Sequence, residues 1–204
     1  MTIAQIREMG VYMATFESLG KIIRDADVLN DEQVNWILQH FQLLTLKKND
    51  FFLEAGKRSK RIGFLNEGIL CSFIYSKEGE EVVKHFIEPY QFFTDIDSYE
   101  QSIPAKLNIQ AVFNSQVFYI TKTDNQKISA ELPQWGYLLK KFAADALNQM
   151  VRNRNFLQFG DAEEQYRHFL KHHPNLAQNV PLKFIASYLG ITQSSLSRIR
   201  RQGE

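Results

Sequence analysis

The sequence predicts an α+β protein in three parts: an antiparallel β-roll, a long helix, and a C-terminal helix-turn-helix. Three observations carry this reading. From Leu43 to about Tyr119, short runs rich in Phe, Ile, Val and Tyr alternate with turn residues. From Pro133 the apolar residues recur at helical spacing for roughly 25 residues, longer than most globular helices. Two short amphipathic stretches joined across Gly190 then close the chain. The boundaries predicted are 1–132 for the roll with short flanking helices, 133–160 for the long helix, and 161–204 for the helix-turn-helix unit.

Each element has a local cause. Residues 31–41 read as a helix with Asp31 as its cap, because Val34, Ile37, Leu38 and Phe41 fall at i, i+3, i+4 and i+7. Residues 51–53, 69–75, 82–87, 107–112 and 117–120 read as strands. Between them lie Ala55-Gly56, Asn66-Glu67-Gly68, Glu78-Gly79-Glu80, Glu88-Pro89 and Asn114-Ser115. Glycine supplies the positive φ of tight turns, so strands at this spacing favour an antiparallel barrel or roll over a parallel sheet.

On the long helix, Trp135, Leu139, Phe142, Ala143, Ala146, Leu147, Met150 and Leu157 form an apolar stripe too wide for one partner surface. A helix that covers its own roll and has apolar residues left over is expected to meet a second copy of itself, with Leu139, Phe142, Ala146 and Met150 at the seam. Gly160 and Asp161 end it. Asp161 with Glu164 has the spacing of a capping box for a helix that buries Tyr166, Phe169 and Leu170 and stops at Pro174. A polar stretch, 175–179, leads to Pro181 at the start of the next helix, whose apolar face is Leu182, Ile185, Ala186 and Leu189. Gly190 closes that helix. Thr192 caps a last one running to about Gln202 with Leu196 and Ile199 inside.

Composition bounds the function. The chain has 204 residues, 44% of them hydrophobic and 23% charged, which excludes disorder and fibrous architectures. One cysteine, Cys71, cannot make an internal disulfide, a four-cysteine zinc site or a four-thiolate iron–sulfur cluster, and points to a reducing, cytoplasmic setting. Glu8, Glu17 and Ser18 interrupt any secretion signal near the N-terminus, and no run of about 18 apolar residues offers a membrane span. With 24 Lys and Arg against 23 Asp and Glu, the net charge of +1 gives no global attraction to nucleic acid. Binding to DNA would have to come from a local cluster.

Such a cluster closes the chain. The exposed face of the last helix carries Gln193, Ser194, Ser197, Arg198 and Arg201, side chains that reach base edges: Arg forks onto guanine and Gln onto adenine. Thr192, Ser195, Lys183 and Arg200 are placed to hold phosphate. Metal and catalytic constellations are not evident. His168 and His172 at i, i+4 have no third ligand and suit the end of a helix dipole, while Cys71 and His85 read as strand residues rather than haem ligands. A metal-holding β-barrel enzyme needs several histidines inside the barrel, and no nucleophile-and-base motif or phosphate loop occurs. No enzymatic activity, metal or cofactor is expected.

The segment Pro181-Leu182-Lys183-Phe184-Ile185-Ala186-Ser187-Tyr188-Leu189-Gly190-Ile191-Thr192-Gln193-Ser194-Ser195-Leu196-Ser197-Arg198-Ile199 resembles the helix-turn-helix of the Crp/Fnr family of transcription regulators. Upstream, Phe52 to Gly56, Leu65 to Ile69, Lys77 to Glu81 and Ile109 to Ala111 resemble that family's cyclic-nucleotide-binding roll. The resemblance spans about Asp31 to Arg201. It implies a homodimer joined through the long helix, a sensor roll, a palindromic DNA operator, and RNA polymerase as a further partner. The alternative is a ligand-binding regulatory module with weak or vestigial DNA binding.

In relatives that bind cyclic AMP, a Gly-Glu pair and an Arg-Ser or Arg-Thr pair flank the phosphate. The aligned residues here are Phe93, Thr94 and Asp95, then Ala105 and Lys106, with Thr94 for the glycine, Asp95 for the glutamate and no arginine. A lysine's point charge does not replace a bidentate fork, so any effector of this roll is expected to be something other than cyclic AMP. The chain stops at Glu204, where many relatives continue into a β-hairpin wing, and a weaker grip on the DNA backbone is expected.

Overall fold

A computed structural model describes residues 15–157 and 160–203. Two helices, α1 (Glu17–Arg24) and α2 (Asp31–Leu38), precede the strands β1 (Gln42–Leu46), β2 (Phe51–Leu53), β3 (Arg61–Glu67), β4 (Leu70–Tyr75), β5 (Glu81–Ile87) and β6 (Phe92–Phe93). Helix α3 (Ile96–Gln101) interrupts before β7 (Asn108–Ala111) and β8 (Ser115–Thr121). The remainder is helical: α4 (Lys122–Glu131), α5 (Pro133–Leu157), α6 (Ala162–His172), α7 (Pro174–Asn179), α8 (Leu182–Leu189) and α9 (Gln193–Gly203). The expected secretion-signal-free N-terminus lies largely outside the described residues.

Eight antiparallel strands form two four-stranded sheets, in the orders β1-β8-β3-β6 and β2-β7-β4-β5. Because successive side chains point to opposite faces, each sheet has two faces to bury, and three cores result. Between the sheets lie Leu46, Phe52, Leu65, Leu70, Phe93, Ile109 and Val117. The outer face of the first sheet, with Phe64, Phe118 and Ile120, is covered by α1, α2, α4 and the start of α5 through Leu19, Ile37, Ile128, Trp135 and Leu138. The outer face of the second, with Cys71, Phe73, Val83 and Phe86, is covered by Phe169, Leu176, Ile185, Leu189 and Leu196 of the C-terminal helices. The helix-turn-helix unit is thus docked on the roll.

Several details depart from the sequence reading. The cap of α2 is Asn30, whose side chain accepts from the Gln33 N–H at 2.9 Å while the Gln33 side chain accepts the Asn30 N–H, so Asp31 is the first helical residue. Strand β3 has a glycine near its centre and charges at its ends, which hides its strand pattern. Gly63 is required there because a Cβ would stand 2.4 Å from the Phe93 ring. Helix α6 ends at His172, before Pro174 as expected, but Pro174 then starts the short α7 as an N1 proline where the sequence suggests only a polar stretch. The capping box of Asp161 and Glu164 and the left-handed Gly190 after α8 are as expected.

Candidate nucleic-acid interface and the roll interior

The turn between α8 and α9 is built from Gly190 at φ 71° and from Thr192, whose hydroxyl accepts the Ser195 N–H at 3.1 Å and donates to the Ser195 hydroxyl at 2.8 Å. Leu196 is fully buried and Ile199 packs against the same core, which fixes the rotation of α9 about its axis. Gln193, Ser194, Arg198 and Arg201 are consequently exposed, with Ser197 at the margin. These residues share one face, and none of Arg198, Arg200 and Arg201 forms an ion pair among the described residues. A helix with free guanidinium forks and no carboxylates is suited to bases and phosphates.

The four residues predicted to hold phosphate fare differently. Thr192 and Ser195 are engaged in capping α9, and Arg200 is half-buried. Lys183 lies on α8 with its Nζ over the Phe184 ring and 3.5 Å from Glu81 of β5, so it faces the roll.

Within the roll, Phe93, Thr94, Asp95 and Ala105 do come together, but their polar groups are already used. Thr94 Oγ1 donates to the Arg61 carbonyl at 3.1 Å and lies 3.0 Å from Ser59 Oγ. Ser98 Oγ accepts the Ser59 N–H at 2.8 Å and donates to the Ile103 carbonyl at 2.7 Å. Asp95 is buried and caps α3 by accepting the Ser98 N–H at 3.0 Å. Ala105 exchanges backbone hydrogen bonds with Gly56 and Lys57, while Lys106 is exposed to solvent. Between the sheets, Phe93 meets Phe52 edge-on at 4.7 Å and fills the space over Gly63.

An arginine does reach this region, and sequence reasoning missed it. Arg61 of β3 lies over the Phe52 ring at 4.3 Å and donates to the Phe52 carbonyl at 2.7 Å, and its partial burial lowers its pKa. Its position inside the basic run Lys57 to Arg61 disguised it as part of a solvated turn.

No family model and no curated protein sequence matches the chain. Solved structures do. FixK2 from Bradyrhizobium japonicum superposes with a TM-score of 0.69 at 18% identity, covering 79% of this chain and 83% of that one. A protein assigned to the Crp/Fnr family of transcriptional regulators, from Eubacterium rectale, gives 0.69 at 16% identity over 86% and 84% of the two chains. A CooA mutant from Carboxydothermus hydrogenoformans gives 0.62 at 18% identity over 82% and 78%. The chain has the Crp/Fnr fold.

Within this Crp/Fnr fold the long helix α5 divides in two. Its first half is anchored: Trp135 and Leu138 are fully buried, and Trp135 Nε1 donates to Asn125 at 2.8 Å. Leu139 and Phe142 pack against the same core. Beyond Phe142, Gln149 and Asn153 still border His85 and Glu88, while the opposite side of the helix faces outward, with Leu147 57% exposed, Val151 50% and Met150 38%. Ala146 is half-buried, and the side chain of Leu157 lies outside the described residues.

The other titratable groups act structurally. Burial, aided by Glu81, pushes the Cys71 thiol up to about 12, which leaves it protonated and poorly reactive. His168 and His172 have rings 4.1 Å apart, and among the described residues no group of three or more His, Cys, Asp or Glu is arranged to hold a metal. No described helix is long and apolar enough to cross a membrane.

Proposed function

We propose that the chain is a homodimeric, DNA-binding transcription regulator whose roll does not take cyclic AMP. The observation that carries this reading is the exposed face of α9. Gln193, Ser194, Ser197, Arg198 and Arg201 stand together there with no acidic partner among the described residues, while Leu196 and Ile199 lock the helix in place. The neighbour from Eubacterium rectale, which shares the fold, is assigned to transcriptional regulation, and this agrees with the reading.

Assembly is supported by the free half of α5. Ala143, Ala146 and Met150 follow the three-four spacing of a coiled-coil seam, with Leu147 and Val151 beside it. Small residues at 143 and 146 permit close approach of two helices, and the exposed apolar stripe has no cover among the described residues of one chain. Reading a palindromic operator requires such a dimer to present its two copies of α9 to successive major grooves.

The reading that cyclic AMP is not the effector is supported by the internal hydrogen bonds of Ser59, Thr94 and Ser98, and by Asp95 being spent on a helix cap. Selection of genomic DNA fragments by the purified protein tests the proposal. An enriched inverted repeat, with half-sites about 10 bp apart, is the expected result. Featureless binding confined to low salt would replace it with a regulatory module whose DNA binding is vestigial.

A further inference from the structure

Strand β5 is the edge of its sheet, so its outward backbone groups lack a neighbouring strand. At Glu81 and Val83 a single side chain takes that strand's place. Ser187 of α8 donates its hydroxyl to the Glu81 carbonyl at 2.8 Å and accepts the Val83 N–H at 3.0 Å. Two further links join the helical C-terminal region to this strand and the residue that follows it: Lys183 to the Glu81 carboxylate at 3.5 Å, and His173 Nδ1 to Glu88 at 3.0 Å. Phe86 lies 5.3 Å from the Tyr188 ring and closes the apolar side of the joint. The reading face of α9 is left exposed by this docking.

From this we infer that Ser187 is a positioning residue for DNA recognition: its bridge to the β5 edge fixes the angle at which each reading helix is presented, and with it the half-site spacing the dimer accepts. The inference rests on the DNA-binding reading above and deepens it. A hydroxyl that donates and accepts across two nearby backbone groups is directional, and it adds a fixed register along β5 to the orientation that the apolar packing gives the helices. Ser187 itself lies on α8, half-buried against the roll, and is not part of the exposed face that would meet DNA. Lys183 belongs to the same joint by its pairing with Glu81.

Binding of the full chain to its selected operator, to variants with one to three base pairs added or removed between half-sites, and to a single half-site tests the assignment. Wild type should prefer one spacing sharply. Ser187→Ala should reduce that preference about tenfold, the scale of removing a hydroxyl's two hydrogen bonds, and leave half-site affinity unchanged. A second measurement needs no variant: the Val83 amide should be protected from hydrogen exchange in the free protein and remain so in the complex with the full operator. If Ser187→Ala keeps the wild-type spacing preference, or if the Val83 amide loses protection on operator binding, the positioning role is overturned while DNA binding stands. Absence of any sequence-selective binding by wild type removes both.

Discussion

Phe142 of the long helix stacks on Phe92 of β6, with ring centroids 4.9 Å apart and planes 16° from parallel. This pairing joins the midpoint of α5 to the roll and marks where the helix changes its work from covering its own sheet to facing outward. The apolar stripe read as one seam therefore has two parts, and a charge placed in each should have a different consequence.

Phe142→Asp should destabilise the folded chain by about 2–4 kcal/mol, because it removes an aromatic pairing and brings a carboxylate against apolar Phe92. Met150→Asp should leave the unfolding midpoint of the monomeric chain near that of wild type and instead abolish self-association, since Met150 is 38% exposed and packs into none of the three cores. Urea unfolding and sedimentation of both variants separate these effects. Wild type sedimenting as a monomer at micromolar concentration would remove the basis for the seam.

Acid stability should depend on His85. Burial, with His173 beside it, lowers this imidazole's pKa from 6.5 to about 4, while Glu88 opposes the shift. The groups around it at the joint are Glu88 just after β5, His173 between α6 and α7, Tyr188 of α8, and the uncharged Gln91, Gln149 and Asn153. In the unfolded chain the ring gains a proton near pH 6.5, whereas in the fold it stays neutral to about 4. The unfolded state thus binds more protons in this window, and stability that is complete above pH 6.5 is lost as pH falls towards 4. The loss from this group is about 3 kcal/mol. His85→Gln should flatten that part of the profile, read as a smaller change in urea midpoint between about pH 7 and about pH 4.5 than wild type shows.

The sequence makes legible those parts of this fold that depend on neighbours in the chain. Asp161 with Glu164, Gly190 and Thr192 act through backbone groups a few residues away, and they do in space what their spacing implies. The long helix is legible for the same reason. Strand β3 is not, because its reason for carrying Gly63 is the Phe93 ring, far along the chain on another strand. Nor does the sequence reveal the engagement of Lys183, whose partner Glu81 is on another element. The roll positions 93–95 and 105 are grouped by pattern, yet the hydrogen bonds around them involve Ser59 and Ser98, which carry no motif of their own.

The occupied roll predicts the outcome of cyclic-nucleotide titration. A cyclic phosphate would need free donors near Thr94 and Ala105, but Thr94 donates inward to the Arg61 carbonyl and the Ala105 N–H to the Lys57 carbonyl. Breaking such bonds without equal replacement costs about 1–3 kcal/mol each. Calorimetry with cyclic AMP or cyclic GMP should therefore show no binding at micromolar concentrations; a micromolar constant for either would mean that the loop from Phe93 to Lys106 rearranges.

The last prediction separates reading from holding on α9. Arg198 is exposed, has no ion pair among the described residues and lies on the face set by buried Leu196, so its fork is free for a guanine edge. Arg200, two residues on, is half-buried and turned towards the side of the helix, where a phosphate rather than a base is within reach. Arg198→Ala should cost about 1–3 kcal/mol on the selected operator and relax preference at one base pair of each half-site. Arg200→Ala should weaken all sequences alike and make the salt dependence shallower by about one unit of slope for each phosphate the guanidinium holds. Competition binding against operator and random DNA at several salt concentrations gives both quantities. If Arg198→Ala weakened the two kinds of DNA equally, Arg198 would be holding phosphate, and the base-reading face would have to be turned towards Gln193 and Ser197.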